Sequence, residues 1–380
     1  IRALNKEEYE NKKFKKANNG LTKIYLSINR LMQLQTPIMM LVFNATSLLA
    51  IWIGIAHLGV DISYLGKMMA FMQYATQVIM SFLFLTMLFV MIPRANVSAK
   101  RINEVLMTKT KIYFPEKLEV KPSSKPCVEF KHVSFSYNNS DGKILENISF
   151  KAEVGETTAF IGSTGSGKST LINLVPRFFD VTDGQILIDD VDIKKYPEAE
   201  LVGRIGYVPQ KGYLFAGTIR SNILFGAKDN SDHQMFKAAR IAQAAEFIEK
   251  MPDKYDTKIA EGGTNVSGGQ RQRLSIARAI AKDPEIYVFD DAFSALDMKT
   301  DSMLRETLKK VTTESITLIV AQRISTIRDA EQIIVLDKGK IVGKGTHREL
   351  LKKCKVYLEI AKSQLSEVEL NKELEQSGEE

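Results

Sequence analysis

A phosphate-binding motif occupies residues 162–170. It fits G-x-x-x-x-G-K-[ST] at every fixed position and comprises Gly162, Ser163, Thr164, Gly165, Ser166, Gly167, Lys168, Ser169 and Thr170. The glycines let backbone N–H groups converge on phosphate oxygens, Lys168 supplies a point charge for the β- and γ-phosphates, and the Ser169 hydroxyl suits Mg²⁺. A flexible Gly/Ser-rich loop is the alternative, but the motif follows an apolar run, 157–161, and opens a predicted helix over 168–175. The stretch therefore predicts a cradle for ATP or GTP.

A strand that ends in a carboxylate is the second component that such a site needs. The apolar run 286–289 precedes Asp290, which is placed to hold Mg²⁺ at the mouth of a parallel sheet. Between the two lies the turn 267–270, Ser-Gly-Gly-Gln, which opens a helix predicted to run through Ala281. Such a turn can present N–H groups to an anion, although alone it is equally an ordinary helix start.

The elements that would position these residues alternate along the chain. Short apolar, β-branched runs separated by helical stretches lie at 157–161, 185–188, 286–289, 316–320 and 333–336. This alternation predicts an α/β P-loop domain over 127–364, behind a Pro- and Ser-containing linker over 113–126. An acidic tail, 365–380, follows with six Glu against one Lys.

Two charge-free runs precede the linker. Residues 31–60 and 68–93 contain no Asp, Glu, Lys or Arg, and each exceeds the roughly 20 residues needed to cross about 30 Å of hydrocarbon. They predict transmembrane helices at about 36–58 and about 68–92 within an all-α segment, 1–112. Two buried helices of a soluble domain are the alternative.

The charges around these runs predict their orientation. Residues 1–30, a predicted polar helix broken only by Gly20, carry eight Lys/Arg against three Glu, and 94–111 carry five against one. The connector has only Asp61 and Lys67 charged, so the positive-inside rule places it outside and both flanks, with the following domain, in the cytoplasm. Basic blocks beside apolar runs explain the net charge of +7 better than a nucleic-acid partner, which we do not expect.

The second apolar run also carries a stripe of methionine and glutamine side chains. At three- and four-residue steps the stripe contains Gln73, Gln77, Met80, Phe84, Met87 and Met91. Met adapts to many apolar partners, and intramembrane polar groups usually face a bundle interior or a cavity. The stripe is therefore either a ligand-lining surface or an ordinary helix-packing face.

Taken together, the motifs resemble the nucleotide-binding domain of ATP-binding cassette (ABC) proteins over about residues 127–350. The residues that carry the resemblance are, in order, the phosphate loop, Gln210, Ser267-Gly268-Gly269-Gln270, Asp290 and Ser294-Ala295-Leu296-Asp297. Upstream, residues 1–105 resemble the last third of the transmembrane domain of type IV ABC exporters. This resemblance implies that four further membrane helices precede the chain in a longer protein.

The resemblance implies roles for these residues. Tyr137 would stack on adenine, with a core tyrosine as the alternative, and Gln210 would touch Mg²⁺ or the attacking water. Ser267, Gly268, Gly269 and Gln270 would cap the γ-phosphate of ATP bound to an opposite subunit. Asp297 would lie at that dimer interface.

Two positions depart from the family pattern. Asp291 stands where a general-base Glu is expected, and Gln322 stands where a His is expected. Asp is one methylene short of the water that Glu would polarise, and Gln can donate a hydrogen bond to a γ-phosphate but cannot carry the imidazole's charge. Both changes would damage hydrolysis while leaving the binding groups intact. The pair resembles the degenerate-site subunit of heterodimeric bacterial multidrug exporters, with drift in a slow but working enzyme as the alternative.

The sequence thus predicts an α/β ABC nucleotide-binding domain preceded by an all-α transmembrane segment, in a multi-pass protein of the cell membrane. The expected cofactors are ATP and Mg²⁺, and the expected partners are a second half-transporter, the lipid bilayer and an amphipathic small-molecule substrate. A homodimeric lipid or peptide exporter, a soluble ABC ATPase and a regulatory ABC subunit remain as alternatives.

Overall fold

The computed structural model describes residues 1–58, 62–118, 126–137, 142–366, 369, 370 and 373, and the chain divides into two compact units, Ile1–Lys109 and Thr110–Glu380. Several predicted features fall outside these residues. They are Asp61 of the connector, Pro122, Ser123 and Ser124 of the linker, and most of the acidic tail.

The first unit is an antiparallel pair of long helices. Helix α1 spans Glu7–Leu58 and helix α2 spans Ile62–Leu106, and the two contact each other. Each contains a stretch long and apolar enough to cross a membrane, in agreement with the two predicted spans. The predicted break at Gly20 is wrong, because α1 runs through it. A single glycine costs a helix only about 1 kcal/mol relative to alanine, which is too little to end a helix of this length.

The second unit contains all the strands that the structure describes. They are β1 (Cys127–Phe135), β2 (Leu145–Glu153), β3 (Thr157–Gly162), β4 (Asp183–Ile188), β5 (Val191–Asp192), β6 (Ile205–Val208), β7 (Gly217–Thr218), β8 (Lys258–Ile259), β9 (Ile286–Asp290), β10 (Ile316–Val320), β11 (Gln332–Asp337) and β12 (Lys340–Gly345).

Ten α-helices of the second unit lie among these strands. They are α3 (Lys168–Asn173), α4 (Glu198–Gly203), α5 (Ile219–Ile223), α6 (Asp232–Ile241), α7 (Ala245–Glu249), α8 (Gly268–Ala281), α9 (Met298–Val311), α10 (Ile324–Ile327), α11 (His347–Lys353) and α12 (Lys355–Gln364) within the described part of the unit. Helix α3 ends two residues before the predicted limit, ahead of Pro176, which has no N–H to continue a helical ladder.

The strands form two principal sheets. A six-stranded sheet has the order β12-β11-β3-β10-β9-β6, in which all neighbours pair in parallel except the edge strand β12. A four-stranded antiparallel sheet has the order β2-β1-β4-β5. The central strands β9 and β10 are buried along their whole length, as expected for a parallel sheet covered on both faces.

Two hydrophobic cores enclose the six-stranded sheet. One lies between this sheet and the antiparallel sheet and takes in Leu171 and Ile172 of α3. The other packs α6, α8 and α12 against the opposite face and includes Leu274, Phe289 and Tyr357. The phosphate-loop helix is thus held inside a core, while its first residues stay at the sheet's carboxyl edge.

Candidate nucleotide site

Four parallel strands bring the predicted site residues to one edge of the sheet. Strand β3 leads into the phosphate loop, β9 ends at Asp290, β10 leads to Gln322, and β6 leads to Gln210. In the register, Val320 of β10 lies opposite Asp290. Because parallel strands deliver their carboxyl ends to the same edge, residues up to about 160 positions apart in sequence converge here.

The phosphate loop holds its lysine in a network of oxygen acceptors. The Lys168 ammonium donates to the carbonyl oxygens of Gly162 at 2.9 Å and Ser163 at 2.8 Å, and to the Ser166 hydroxyl at 3.4 Å. Burial lowers the pKa of Lys168, and the charges of the nearby acidic side chains oppose this effect. Above this buried base, Ser163, Thr164 and Gly165 are exposed, so the mouth of the loop is open to a phosphate chain.

Two glycines give the loop its conformation. Gly165 has φ +81° and Gly167 has φ +97°, a region that residues with a Cβ rarely adopt. A Cβ at Gly162 would lie 2.0 Å from the Leu336 carbonyl oxygen, so the loop also begins at a close approach between neighbouring strands. These contacts explain why the motif needs glycine at these positions.

Two of the three predicted Mg²⁺ ligands, Ser169 and Asp290, lie side by side, whereas the third, Gln210, donates to Asp291. The Ser169 hydroxyl donates to Oδ1 of Asp290 at 2.8 Å. The Asp290 carboxylate is buried, and burial raises its pKa, with the charge of Asp291 adding to the effect and the Ser169 hydrogen bond opposing it. A hydroxyl and a carboxylate at this distance form the oxygen-rich donor set that Mg²⁺ prefers.

The predicted catalytic residues also converge, on a single carboxylate oxygen. Oδ2 of Asp291 accepts from Nε2 of Gln322 at 2.8 Å and from Nε2 of Gln210 at 3.2 Å. The Asp291 backbone adopts φ +47°, and its carbonyl accepts from the Ser294 hydroxyl at 2.8 Å. Burial raises the pKa of Asp291, and hydrogen bonds oppose that rise. Two amides therefore occupy one oxygen of the carboxylate that stands where the family pattern has a general base.

Tyr137 lies beside the helix that follows the phosphate loop. Its hydroxyl is 3.2 Å from the Thr170 hydroxyl, and its ring packs edge-on against Phe135 and Phe179, with centroids 4.8 and 5.1 Å away. The residue is 36% exposed, so part of it remains accessible to an aromatic ligand. Phe179 was not predicted as a site residue, because nothing in the sequence around it indicates an aromatic neighbour for Tyr137.

The Ser267–Gln270 turn is a capping box at the start of α8. The Ser267 hydroxyl oxygen accepts from the Gln270 N–H at 3.2 Å, and Oε1 of Gln270 accepts from the Ser267 N–H at 2.9 Å. Ser267 and Gly268 are exposed, and a Cβ at Gly268 would meet open space. Within the described residues neither the Gly268 N–H nor the Ser267 O–H donates a hydrogen bond, so a surface anion could use both donors.

Asp297 is the N-cap residue of α9. Its carboxylate caps α9 by accepting from the Thr300 N–H at 3.0 Å, and these hydrogen bonds lower its pKa. Its predicted position at a dimer interface stays a prediction.

Comparison with known proteins identifies the family. The family model described as "ABC transporter" matches residues 145–294, and the model described as "ABC transporter transmembrane region" matches residues 1–82. The chain belongs to the ABC transporter family. A helical transmembrane region followed by an ABC nucleotide-binding domain, the predicted fold class, is confirmed.

Several ABC proteins are similar to the chain over most of its length. An ABC transporter ATP-binding protein of Mycobacterium bovis is 42% identical over 368 residues, which cover 96% of this chain and 63% of the relative. YfiB of Bacillus subtilis, an ABC transporter ATP-binding protein, is 40% identical, with the same two coverages. The chain thus spans about 63% of the length of these relatives.

Two further relatives carry more specific names. A Staphylococcus aureus protein named for multidrug export is 47% identical over 230 residues, which cover 60% of this chain and 40% of that protein. The solved structure of a bacterial Atm1-family ABC exporter with ATP bound aligns with a TM-score of 0.84 at 30% identity, covering 97% of this chain and 65% of its own.

Proposed function

We propose that this chain is one half of a heterodimeric ABC exporter that moves amphipathic compounds out of the cytosol at the expense of ATP. Its own phosphate loop would hold ATP with little hydrolysis, while its Ser267–Gln270 turn would complete the partner's hydrolytic site. The multi-pass protein would lie in the cell membrane, with the nucleotide-binding domain in the cytoplasm.

The residues of the site fit ATP and Mg²⁺. Lys168 is positioned to exchange its carbonyl acceptors for phosphate oxygens, and Ser169 and Asp290 offer adjacent oxygen ligands to the metal. Mg²⁺ bound there would neutralise phosphate charge. Tyr137 would stack on the adenine. ATP bound in the Atm1-family neighbour supports this assignment of the ligand.

The proposal of reduced hydrolysis rests on a single observation, the two side-chain amides that donate hydrogen bonds to Asp291. A general base must reach the proton of the attacking water, and the Asp291 carboxylate is shorter than Glu and accepts two N–H groups on one oxygen. An amide at Gln322 can donate to a γ-phosphate but cannot take up a proton at neutral pH. The site therefore keeps the groups that bind ATP and lacks those that split it.

Two observations support the export of amphipathic compounds. The name of the Staphylococcus aureus relative supports multidrug export, and the Met/Gln stripe supplies exposed adaptable side chains on α2, with Met80, Phe84 and Met87 each more than half exposed. Contact with substrate through this stripe is part of the proposal.

Steady-state ATPase assays of the purified heterodimer test the proposal. Replacing the partner's catalytic Glu should nearly abolish turnover, whereas Asp291→Ala in this chain should change it less than about twofold. Ser267→Ala in this chain should lower turnover at the partner's site by about 10²-fold, the usual effect of removing a donor that stabilises developing charge.

Thr346→Ala is the matched control for Ser267→Ala. Thr346 forms the same capping box at the start of α11, away from the nucleotide edge, so its loss should cost similar helix stability without affecting turnover. If Asp291→Ala reduced turnover as severely as the partner's Glu substitution, this site would be a working catalyst and a slow homodimeric exporter would be the better description.

A further inference from the structure

The side chain of Gln364 holds the backbone of the loop that carries Gln322. Nε2 of Gln364 donates to the Gln322 carbonyl oxygen at 2.7 Å, and Oε1 of Gln364 accepts from the Ile324 N–H at 2.8 Å. A single amide thus closes both hydrogen bonds around Arg323, whose backbone is extended at φ −103° and ψ 131°.

This pair of bonds reproduces the pairing of a parallel strand. In extended backbone the C=O of one residue and the N–H of the second residue after it point in the same direction. A neighbouring strand would normally satisfy both groups, and here the Gln364 amide does so after β10 has ended. The Ile324 N–H is also one of the first-turn donors of α10, whose preceding residue, Arg323, offers no side-chain cap.

Gln364 is itself fixed by the helix on which it stands. It is the last residue of α12, and that helix is anchored by Tyr357 and Ala361, which are fully buried. The Tyr357 hydroxyl lies 2.6 Å from Nδ1 of the buried His347, and Nε2 of that histidine lies 2.9 Å from Glu373. The amide therefore projects from a rigid support toward the nucleotide edge.

Gln322 links Gln364 to the nucleotide site. The Gln322 carbonyl is bonded to Gln364 and the Gln322 side chain donates to Asp291, so the two ends of the residue are held by different elements. Releasing the carbonyl would free the loop to rotate, and Nε2 of Gln322 would no longer be held beside Asp291 at the nucleotide edge.

We infer that Gln364 is a positioning residue that orients Gln322 toward the γ-phosphate and so makes this site prefer ATP over ADP. The inference rests on the proposed function, because it presumes that this phosphate loop binds ATP. It assigns the C-terminal helix α12 a role in nucleotide discrimination at its own domain's site.

Photolabelling of the full-length transporter with 8-azido-ATP on ice, with ATP and ADP as competitors, provides the test. Labelling of this chain reports its own site, and Lys168→Ala should abolish it. Gln364→Ala should weaken competition by ATP about fivefold, the loss of one neutral hydrogen bond, and leave competition by ADP within about twofold. Lys362→Ala, an exposed substitution on the same helix, should compete as wild type does.

The double variant Gln322→Ala/Gln364→Ala separates positioning from a purely structural role. If Gln364 acts through Gln322, the double variant should match Gln322→Ala alone. Equal loss of ATP and ADP competition, additive losses in the double variant, or no change in Gln364→Ala would each overturn the inference. Failure of ATP to protect the wild-type chain would instead overturn the proposed function, so the two failures are distinguishable.

Discussion

Asp290 should affect the stability of the empty and the loaded domain in opposite directions. Burial raises its pKa in the folded state, so folding disfavours the ionised carboxylate. For an acid with a raised pKa, this cost is absent below the unfolded-state value and fully present above the folded-state value. At neutral pH, Asp290→Asn should therefore raise the melting temperature of the nucleotide-free protein, because the amide keeps an acceptor for Ser169 without the buried charge.

The same change should reduce stabilisation by Mg²⁺-ATP. At one hundred times its dissociation constant, a ligand stabilises the wild-type protein by about 2.7 kcal/mol, which corresponds to about 5–10 °C for a domain of this size. If loss of the carboxylate weakens binding about tenfold, the shift at the same concentration falls to about half, near 1.4 kcal/mol. Asp290→Asn should thus start at a higher melting temperature and gain less from nucleotide.

Thermal unfolding followed by intrinsic fluorescence, with and without Mg²⁺-ATP, measures both effects. Glu349→Gln is the control of opposite sign: hydrogen bonds with Thr346 lower the pKa of this exposed carboxylate, so its neutralisation should not stabilise the protein and should leave the nucleotide shift intact. An Asp290→Asn protein that melted below wild type without nucleotide would refute the assignment of a burial cost to this side chain.

Three further outcomes are expected. Single cysteines at Lys67 and Lys100 should react with a membrane-impermeant reagent from outside and from inside the cell respectively, and labelling at position 100 in intact cells would contradict the predicted topology. Asp291→Glu combined with Gln322→His should raise hydrolysis at this chain's site by about 10²-fold, measured with the partner's site inactivated; unchanged turnover would show that other groups limit the reaction. Gln77→Ala should alter which drugs stimulate ATPase activity at nearly constant basal turnover, whereas loss of folded protein would favour a packing role.

Five of the twelve described strands were predictable because they are short, apolar and β-branched. The predicted run 316–320 is identical to β10, and the other predicted runs lie within β3, β4, β9 and β11. Local composition decides such strands, since both faces of a parallel sheet are buried. Composition did not predict correctly that α1 continues through Gly20. The low helix propensity of this one glycine is outweighed by the helical residues on both sides of it.

The hydrogen bonds inside the site were less predictable than the identities of the residues that form it. The sequence identified Asp291 and Gln322 by position, but it contains no information on which oxygen the amide would meet. Gln364 could not be found at all, because it lies 42 residues beyond Gln322 and belongs to a helix with no motif of its own. A hydrogen bond between an ordinary glutamine and backbone depends on tertiary placement, which neither spacing nor residue type reports.

The residue types in the site and the contacts between them give different information on the proposed asymmetry of the transporter. Residue types alone say that Asp291 and Gln322 are poor substitutes for Glu and His. The geometry adds that Gln322 donates a hydrogen bond to Asp291, and that Gln210 donates to the same oxygen. These hydrogen bonds stabilise the buried Asp291 carboxylate in its present position. To accept a proton from a water molecule through this oxygen, the carboxylate would first have to break them. The pair therefore fits the proposed retention of ATP better than turnover, and we expect a gain of hydrolysis only when both residues are changed together.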